Sequence, residues 1–212
     1  MKKKAVKAAR TAHQVDRKLS KEAAKARDTP AVRIAAAVGE VADQPPLIAI
    51  SAATIVLGAA LRRPVVARTG VRMLASHLIA TGIKTAIKRR IDRTRPAAAH
   101  DGEGYALKPG GDHGHDLASF PSGHTAGAVA VARALARDVP ESATLGAVAA
   151  GAVAAIQLPN AKHYASDVAA GAAIGVVGEW LASAGMAFAV RAWRAREARA
   201  GRGGGLAEDG KV

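Results

Sequence analysis

Residues 120 to 136, Phe-Pro-Ser-Gly-His-Thr-Ala-Gly-Ala-Val-Ala-Val-Ala-Arg-Ala-Leu-Ala, join a short polar motif directly to an apolar run. Serine is favoured just before a helix and alanine is the strongest helix former, so a helix is predicted to begin at about residue 123. Backbone amides at a helix start bind phosphate, Gly123 allows close approach of an anion, and His124 is placed to donate a proton. The stretch therefore predicts a phosphate site at the end of an apolar helix. The alternative is a capped helix start with an incidental histidine.

Four further apolar segments occur, at about residues 46–61, 69–87, 142–158 and 168–190. They are rich in alanine, valine, leucine and isoleucine and rarely alternate with a period of two, which favours helices over strands. A helix needs about 17 to 25 apolar residues to cross a bilayer, and several segments are near this length but contain a charge. Small residues let such helices pack closely and shield these charges. We therefore predict an all-α membrane bundle of about five transmembrane helices, with a soluble alanine-rich bundle as the alternative.

The chain has 212 residues, no cysteine and a formal net charge of +14, much of it before residue 34. The length fits one domain, and the lack of cysteine excludes disulfides, zinc-thiolate sites and a cysteine nucleophile. The sequence predicts a basic arm at 1–28, a helical membrane domain at 29–190 with a loop at 88–121, and a basic, glycine-rich disordered tail at 191–212. The arm suits the anionic lipids of a membrane surface, and nucleic-acid binding is the alternative. We expect no specific nucleic-acid partner and no secretory signal.

The loop at 88–121 begins with two cations, Lys88 and Arg95, that are seven residues apart. A helix carried that far would place both on one face, and Pro96 restricts Arg95 and ends the element there. Arginine binds phosphate oxygens as a rigid fork and lysine as a point charge, so both are candidate phosphate ligands. The alternative is an ordinary basic cluster beside a membrane, which would also include Arg89, Arg90 and Arg93.

A third polar motif, at the start of the last apolar segment, contains His163 and Asp167. A spacing of four puts both side chains on one helical face. A carboxylate on one ring nitrogen fixes the tautomer of a histidine and raises the nucleophilicity of the other nitrogen. A helix-capping aspartate beside an interfacial histidine is the alternative. With five spanning helices, the loops at 88–121 and 158–167 emerge on the same side, so the three motifs can meet.

The pattern Lys-x6-Arg-Pro, Pro-Ser-Gly-His and His-x3-Asp, in this order between hydrophobic segments, resembles the type 2 phosphatidic acid phosphatase (PAP2) superfamily. The resemblance covers about residues 43–188 and is greatest to the membrane-bound bacterial branch. It implies a multi-pass phosphatase of the bacterial inner membrane that needs neither a metal nor a cofactor. The implied substrate is a lipid phosphate, either phosphatidate-like or an isoprenoid phosphate or diphosphate. The charge distribution favours a cytoplasmic site, whereas membrane members of the family usually act on the outer face.

The resemblance also implies a role for each matching residue. His163 would attack phosphorus and form a phosphohistidine, Asp167 would orient His163, and His124 would protonate the leaving group. The phosphoryl oxygens would be held by Lys88, Arg95, Ser122 and the Gly123 amide. Such donors stabilise the charge that develops on the oxygens in phosphoryl transfer.

One position departs from the family pattern. The third motif of the family normally begins Ser-Arg, with five residues between that arginine and the histidine, where this chain has Ile156 and Gln157. Gln157 thus holds a phosphate-binding position without a charge, and Lys162 is a candidate replacement. A charged hydrogen bond is worth about 1.5 to 3 kcal/mol, so its loss could cost about ten- to a hundredfold in rate. The alternative function is a catalytically weakened or silent membrane protein that binds anionic lipid or phosphate.

A second polar group in the loop consists of Asp112, His113, His115 and Asp116. Its spacing matches no strong zinc pattern, and a glycine-rich loop holds metal ligands poorly. We therefore expect a solvated loop there rather than a metal site.

Overall fold

Helices make up most of the protein. The structure, a computed structural model, describes residues 2–100, 104–111 and 114–204. Its α-helices are α1 Lys2–Ala24, α2 Pro30–Gly39, α3 Gln44–Ala60, α4 Pro64–Lys88, α5 Pro96–His100, α6 Gly123–Asp138, α7 Ala143–Ile156 and α8 Ala165–Gly204. Short 3-10 helices lie at Glu40–Ala42, His115–Leu117 and Pro140–Ser142. The predicted helical class is confirmed for the described residues.

Three helices, α4, α6 and α8, pack against one another at the centre of the bundle, with α3 on α4 and α7 on α6. The contact surface is made of small residues, and the side chains of Ala80, Ala126 and Ala130 are fully buried in it. A Cβ atom at Gly171 of α8 would lie only 2.5 Å from the carbonyl oxygen of Ser122. No side chain fits at that distance, so Gly171 allows α8 to approach the start of α6.

One helix of the described chain, α8, is long and apolar enough to cross a membrane, over Ala165–Arg199. The segments Pro30–Ala42 and Gln44–Ala60 meet the same criterion only as a pair, and they are bent by 53° at the break between them. Large apolar side chains on the bundle exterior are exposed, with Leu145 of α7 at 74% and Phe188 of α8 at 68%. An apolar exterior is expected where helices face lipid. The number of membrane spans remains a prediction.

The loop at 88–121 contains a short antiparallel sheet that turn chemistry did not predict. Strand β1 Ile91–Arg93 pairs with strand β2 Leu107–Pro109, and Arg93 lies opposite Leu107. Since α4 ends at Lys88 and the strand follows, Lys88 and Arg95 lie on different elements rather than on one helical face. Asp112 and His113 of the polar group in this loop lie outside the described residues.

The basic arm forms the helix α1, which contacts α5 and the start of α8. It is joined to the bundle by buried polar residues, Asp16 and Ser20, rather than by large apolar ones. At the other end of the chain, α8 continues to Gly204, through residues for which the sequence predicts a disordered tail. Residues 205–212 lie outside the described part.

Candidate active site

His163 lies in the turn between α7 and α8, and its side chain is almost fully buried. The backbone amides of Lys162 and His163 both donate to the carbonyl oxygen of Gln157, each at 3.3 Å, which closes the turn. The ring atom Nδ1 is 2.6 Å from the carbonyl oxygen of Ser119. A carbonyl oxygen only accepts hydrogen bonds, so Nδ1 carries the proton and Nε2 is left with its lone pair. This is the tautomer that a nucleophilic histidine requires.

The charge state of His163 is set mainly by burial, which lowers the pKa of the imidazole below its ordinary value. Asp167 opposes this shift, while the cations Arg95 and Lys88 reinforce it. Burial disfavours a charged ring, and neighbouring positive charges do the same. His163 is therefore neutral at pH 7 and able to act as a nucleophile.

Asp167 lies in the first turn of α8 and is fully buried beside His163. Its Oδ2 accepts hydrogen bonds from the Ser119 hydroxyl at 2.6 Å and from the Tyr164 amide at 2.9 Å. The same oxygen is 3.8 Å from Nδ1 of His163. The proton on Nδ1 is thus held by the Ser119 carbonyl, and Asp167 acts on the ring through its charge.

Arg93, which the sequence analysis named only within the alternative of a basic cluster beside a membrane, lies against Asp167. Its guanidinium is buried, donates to Oδ1 of Asp167 at 2.5 Å and to the Ser166 hydroxyl at 2.6 Å, and lies over the Tyr164 ring at 4.1 Å. The coulombic attraction of Asp167 and a hydrogen bond to Asp16 raise the pKa of Arg93 against the effect of burial. No local signal separates Arg93 from the neighbouring arginines, because its partners Asp16 and Asp167 lie 77 and 74 positions away in the sequence.

Lys88 and Arg95 supply positive charge in front of His163. Lys88 is largely buried and its ammonium donates to the carbonyl oxygen of Ala118. Burial lowers the pKa of Lys88 to about 8, and the nearby cations Arg95 and Lys84 contribute to the shift. Burial also lowers the pKa of Arg95, while Asp116 and Asp167 act in the opposite direction. The structure therefore concentrates cations beside the nucleophile, as a phosphate site requires.

The start of α6 has the predicted capped geometry. The Ser122 hydroxyl is fully buried and accepts a hydrogen bond from the Thr125 amide at 3.4 Å, and the Ser122 amide donates to the carbonyl of Asp167 at 3.1 Å. Gly123 faces Lys84, whose side chain would lie 3.1 Å from a Cβ at this position. The motif is thus held against α8 on one side and α4 on the other.

His124 lies nearer the surface and contacts a residue that the sequence did not single out. Its Nε2 is 3.3 Å from Oε2 of Glu40, and Oε1 of Glu40 is 2.5 Å from the ammonium of Lys162. The hydrogen bond from Lys162 is the largest cause of a lowered pKa of Glu40. Lys162, the candidate replacement for the missing arginine, is therefore paired with Glu40 at the mouth of the site.

Glu40, Asp43 and His124 form a group whose potential ligand atoms lie within 4.8 Å of one another, the only such group among the described residues. Both carboxylates are exposed, and Lys162 already neutralises Glu40. An ammonium at 2.5 Å competes with a cation for that carboxylate, so the group is better described as an ion-pair cluster.

Gln157 is buried at the end of α7. The amide nitrogen donates to the Val153 carbonyl at 3.1 Å, which turns the side chain back along its own helix. The amide oxygen has no hydrogen-bond partner among the described residues. The backbone carbonyl of Gln157 closes the His163 turn, and the side-chain amide nitrogen is held by its own helix.

A cavity of about 570 Å³ lies between α2, α3, α6 and α7 and is almost entirely apolar. It begins close to the site, because Gly39, Ala128 and Ile156 in its wall are each within about one helical turn of a site residue. The other lining residues are Ala35, Val38, Val41, Ala42, Leu47, Val131, Ala132, Leu135, Gly146, Ala149, Ala150, Ala152 and Val153. An apolar chain attached to a phosphate could occupy it.

Comparisons with known proteins identify the family and similar folds. The family model of the PAP2 superfamily matches residues 69–191. Among solved structures, LpxE of Aquifex aeolicus aligns with a TM-score of 0.53 at 18% identity, over 78% of this chain and 92% of that one. A transmembrane PAP2 type phosphatidylglycerolphosphate phosphatase from Bacillus subtilis aligns with a TM-score of 0.52 at 18% identity, over 82% and 85% of the two chains.

No curated protein matches the chain significantly. The family match covers more than half of the sequence and includes all three polar motifs. The resemblance inferred from those motifs is confirmed, and the chain belongs to the PAP2 superfamily.

Proposed function

We propose that the protein is a membrane phosphatase that hydrolyses a lipid phosphate through a phosphohistidine on His163. The observation that carries this proposal is the buried neutral imidazole of His163, with Nδ1 held by the Ser119 carbonyl and with Lys88 and Arg95 close by. Phosphoryl transfer requires a nucleophilic nitrogen with a free lone pair, and a proton fixed on Nδ1 leaves Nε2 in that state. It also requires cations beside the nucleophile to hold the phosphoryl oxygens.

In the first step, Nε2 of His163 attacks phosphorus, the P–N bond forms, and the P–O bond to the lipid breaks. His124 gives its proton to the leaving oxygen. In the second step, water attacks phosphorus, the P–N bond breaks, and His124 takes the proton of that water. Lys88, Arg95 and the amides at the start of α6 hold the phosphoryl oxygens, where negative charge develops in both steps.

A lipid substrate is supported by the surroundings of the site. The apolar cavity that begins beside Gly39 and Ala128 has room for a hydrocarbon chain, and the outer faces of α7 and α8 are apolar. One structural relative is by name a transmembrane phosphatidylglycerolphosphate phosphatase. We infer a multi-pass protein of the bacterial inner membrane that acts on a phosphatidate-like lipid or on an isoprenoid phosphate or diphosphate. The basic face of α1 would bind anionic lipids.

The second candidate, a weakened or silent phosphatase that binds anionic lipid or phosphate, is favoured by one observation. Gln157 holds the position of the family's second arginine, and its amide is bonded to its own helix. The site then depends on Lys88 and Arg95 alone among the predicted cationic ligands that lie inside it.

Both candidates are tested by measuring phosphate release from a panel of lipid phosphates by purified wild type, His163→Ala and Gln157→Arg. The proposal expects turnover by wild type, loss of at least about a thousandfold in His163→Ala, and an acid-labile phosphoryl group trapped on wild type only. His100→Ala, which removes an exposed histidine, is the control. Unchanged release by His163→Ala would refute the proposal, and turnover that appears only in Gln157→Arg would support the silent alternative.

A further inference from the structure

Helix α1 carries one buried carboxylate, that of Asp16. Asp16 is 7% exposed, whereas Glu22 on the same helix is exposed and pairs with Lys25. The face of α1 that carries Asp16 includes His13 and the fully buried Ser20, at the spacing of residues that share one side of a helix. The ring of His13 lies 4.4 Å from that of Tyr105, between centroids. This face is therefore packed against the rest of the protein.

Asp16 bonds directly to the turn that holds the catalytic motif. Its Oδ1 accepts a hydrogen bond from the Ser166 amide at 3.0 Å, and its Oδ2 accepts from the Ser166 hydroxyl at 2.5 Å. Oδ2 also accepts from Nη2 of Arg93 at 2.7 Å, and Arg93 reaches Asp167 through its other terminal nitrogen. Asp16 and Asp167 thus share one buried guanidinium.

Because Asp16 and Asp167 share the guanidinium of Arg93, Asp16 affects how much negative charge faces His163. One cation between two carboxylates leaves a net charge of −1, so Asp167 is only partly neutralised. Without the charge of Asp16, Arg93 would serve Asp167 alone, and the negative charge that stabilises a protonated His163 ring would decrease. Charges act strongly at these distances because the residues are buried.

We propose that α1 completes the active site, with Asp16 as a positioning residue that acts on His163 through Arg93 and Asp167. The arm is then required for catalysis in addition to any contact it makes with lipid. This inference rests on the proposed function of His163 as the nucleophile. It assigns a role to a residue outside the family match, which begins at residue 69.

Several charged groups face His163 or lie behind its partners. Asp167 approaches from α8, Lys88 from the end of α4, and Arg95 from the segment after β1. Arg93 and Asp16 lie behind Asp167. Of these five groups, only Asp16 can be altered without removing a direct neighbour of either His163 or Asp167.

The first experiment compares Asp16→Asn, Asp16→Glu and Glu22→Gln in the full-length protein, with the lipid phosphate that wild type hydrolyses fastest. Asp16→Asn is expected to lower kcat about tenfold with KM within twofold, which is the scale of effect seen for residues that orient a reactive group. The acidic limb of the kcat/KM profile should move to lower pH, because the pKa of His163 falls. Asp16→Glu should keep the position of the limb, and Glu22→Gln should match wild type.

The second experiment distinguishes positioning from a general structural role. In the double variant Asp16→Asn/Arg93→Gln, one negative and one positive charge are removed together, so the acidic limb should return towards its wild-type position. A structural role predicts additive losses and an unmoved limb. Inhibition by inorganic phosphate should be the same in Asp16→Asn as in wild type, since Lys88 and Arg95 are intact, and this also verifies that the site is folded.

The third measurement needs no turnover. The pKa of the His163 ring is measured by NMR in wild type and Asp16→Asn, and it should be lower in the variant. An equal pKa in both proteins would overturn the role of Asp16. If His163→Ala retained activity, the proposed function would fail; if His163→Ala were inactive and Asp16→Asn behaved as Glu22→Gln does, only the present inference would fail.

Discussion

The two ends of the helical bundle handle buried charge in opposite ways. At the end away from His163, Asp138 of α6 is paired with Arg72 of α4 at 2.9 Å, and Glu179 of α8 with Arg137 of α6 at 2.6 Å. At the His163 end, burial and the nearby cation Arg95 both lower the pKa of Lys88. At the far end each carboxylate is paired with arginine side chains, whereas at the site end Lys88 is desolvated beside a second cation, where a bound anion would stabilise it.

The difference indicates which charged residues stabilise the fold and which bind phosphate. Ion pairs to the buried carboxylates of Asp138 and Glu179 hold α4, α6 and α8 together, and loss of Asp138 leaves the buried guanidinium of Arg72 without its carboxylate. A cation that burial makes unfavourable, such as Lys88, lowers stability but provides binding energy for a phosphate. Removing Asp138 at the far end should therefore alter stability alone, and removing the charge of Lys88 at the site end should alter activity alone at pH 7.

The largest expected effect is at the far end. Asp138→Ala should lower the free energy of unfolding by about 3 kcal/mol, because Arg72 is left buried without its carboxylate. The kcat and KM of the folded fraction should not change. Thermal unfolding in detergent measures the first quantity and lipid phosphate hydrolysis the second. Arg68→Ala is the control, since Arg68 contacts the same carboxylate but is 55% exposed, and it should cost less than about 1 kcal/mol.

The second prediction is the converse at the site end. Lys88→Met keeps the aliphatic stem but removes the charge, so kcat/KM should fall about ten- to a hundredfold, the value of one charged hydrogen bond to phosphate. The unfolding temperature at pH 7 should not fall, because burial makes the ammonium of Lys88 unfavourable in the folded state. Lys108→Met, at an exposed lysine of β2, should change neither quantity. A large loss of stability in Lys88→Met would remove the distinction between the two ends.

The parts of the site that the sequence predicted are those with local signals. Ser122 caps α6 one residue before its first turn, and Asp167 lies in the first turn of α8, four residues after His163. Both are helix-end features, which are specified by neighbours in sequence. The identity and spacing of these residues were enough to indicate a phosphate site before any contact was known.

The contacts of the site that the sequence did not predict are those between segments that are distant in the sequence. Arg93 pairs with Asp16 from 77 positions away, and His124 meets Glu40 from 84 positions away. Nothing in the local sequence distinguishes these carboxylates from solvated ones. Gln157 was singled out by its spacing, and its amide nitrogen is bonded to the Val153 carbonyl of its own helix, a contact that spacing does not predict.

Composition alone does not give the number of membrane spans, because contacts between distant helices also pair the charges within the apolar segments. Segments such as α4 and α6 combine alanine-rich faces with charges that pair across the bundle, as in the contact of Arg72 with Asp138. A hydropathy average counts these charges as if they faced lipid. Among the described helices, only α8 has an apolar stretch that is long enough to cross a membrane by its own length and composition.

The third prediction concerns pH at the site end. Above about pH 8, Lys88 loses its proton and kcat/KM should fall about tenfold for each further pH unit. Lys88→Arg should move this alkaline limb to higher pH, because a guanidinium keeps its charge. Since the pKa of Lys88 is lowered in the folded state, the unfolded chain holds that proton at higher pH, and this group's contribution to stability increases above pH 8. A wild-type limb that stayed in place in Lys88→Arg would assign it to another group.

The smallest effect is expected at the mouth of the site, where the ion pair between Glu40 and Lys162 is exposed to solvent, unlike the buried charges at the two ends of the bundle. Glu40 is half exposed and bonds both Lys162 and His124, and exposed pairs are worth less than about 1 kcal/mol. Glu40→Gln should lower kcat by about threefold, because His124 loses the carboxylate that positions it, and should lower KM by a similar factor, because Lys162 is released to bind phosphate. Steady-state kinetics at low and high salt would measure both, and salt should reduce them since the pair is exposed to solvent. In the double variant Glu40→Gln/Lys162→Ala the fall in KM should disappear while the fall in kcat remains. If both effects persisted in the double variant, Lys162 would have no part in binding the phosphate, and the positive charge of the site would come from its buried end alone.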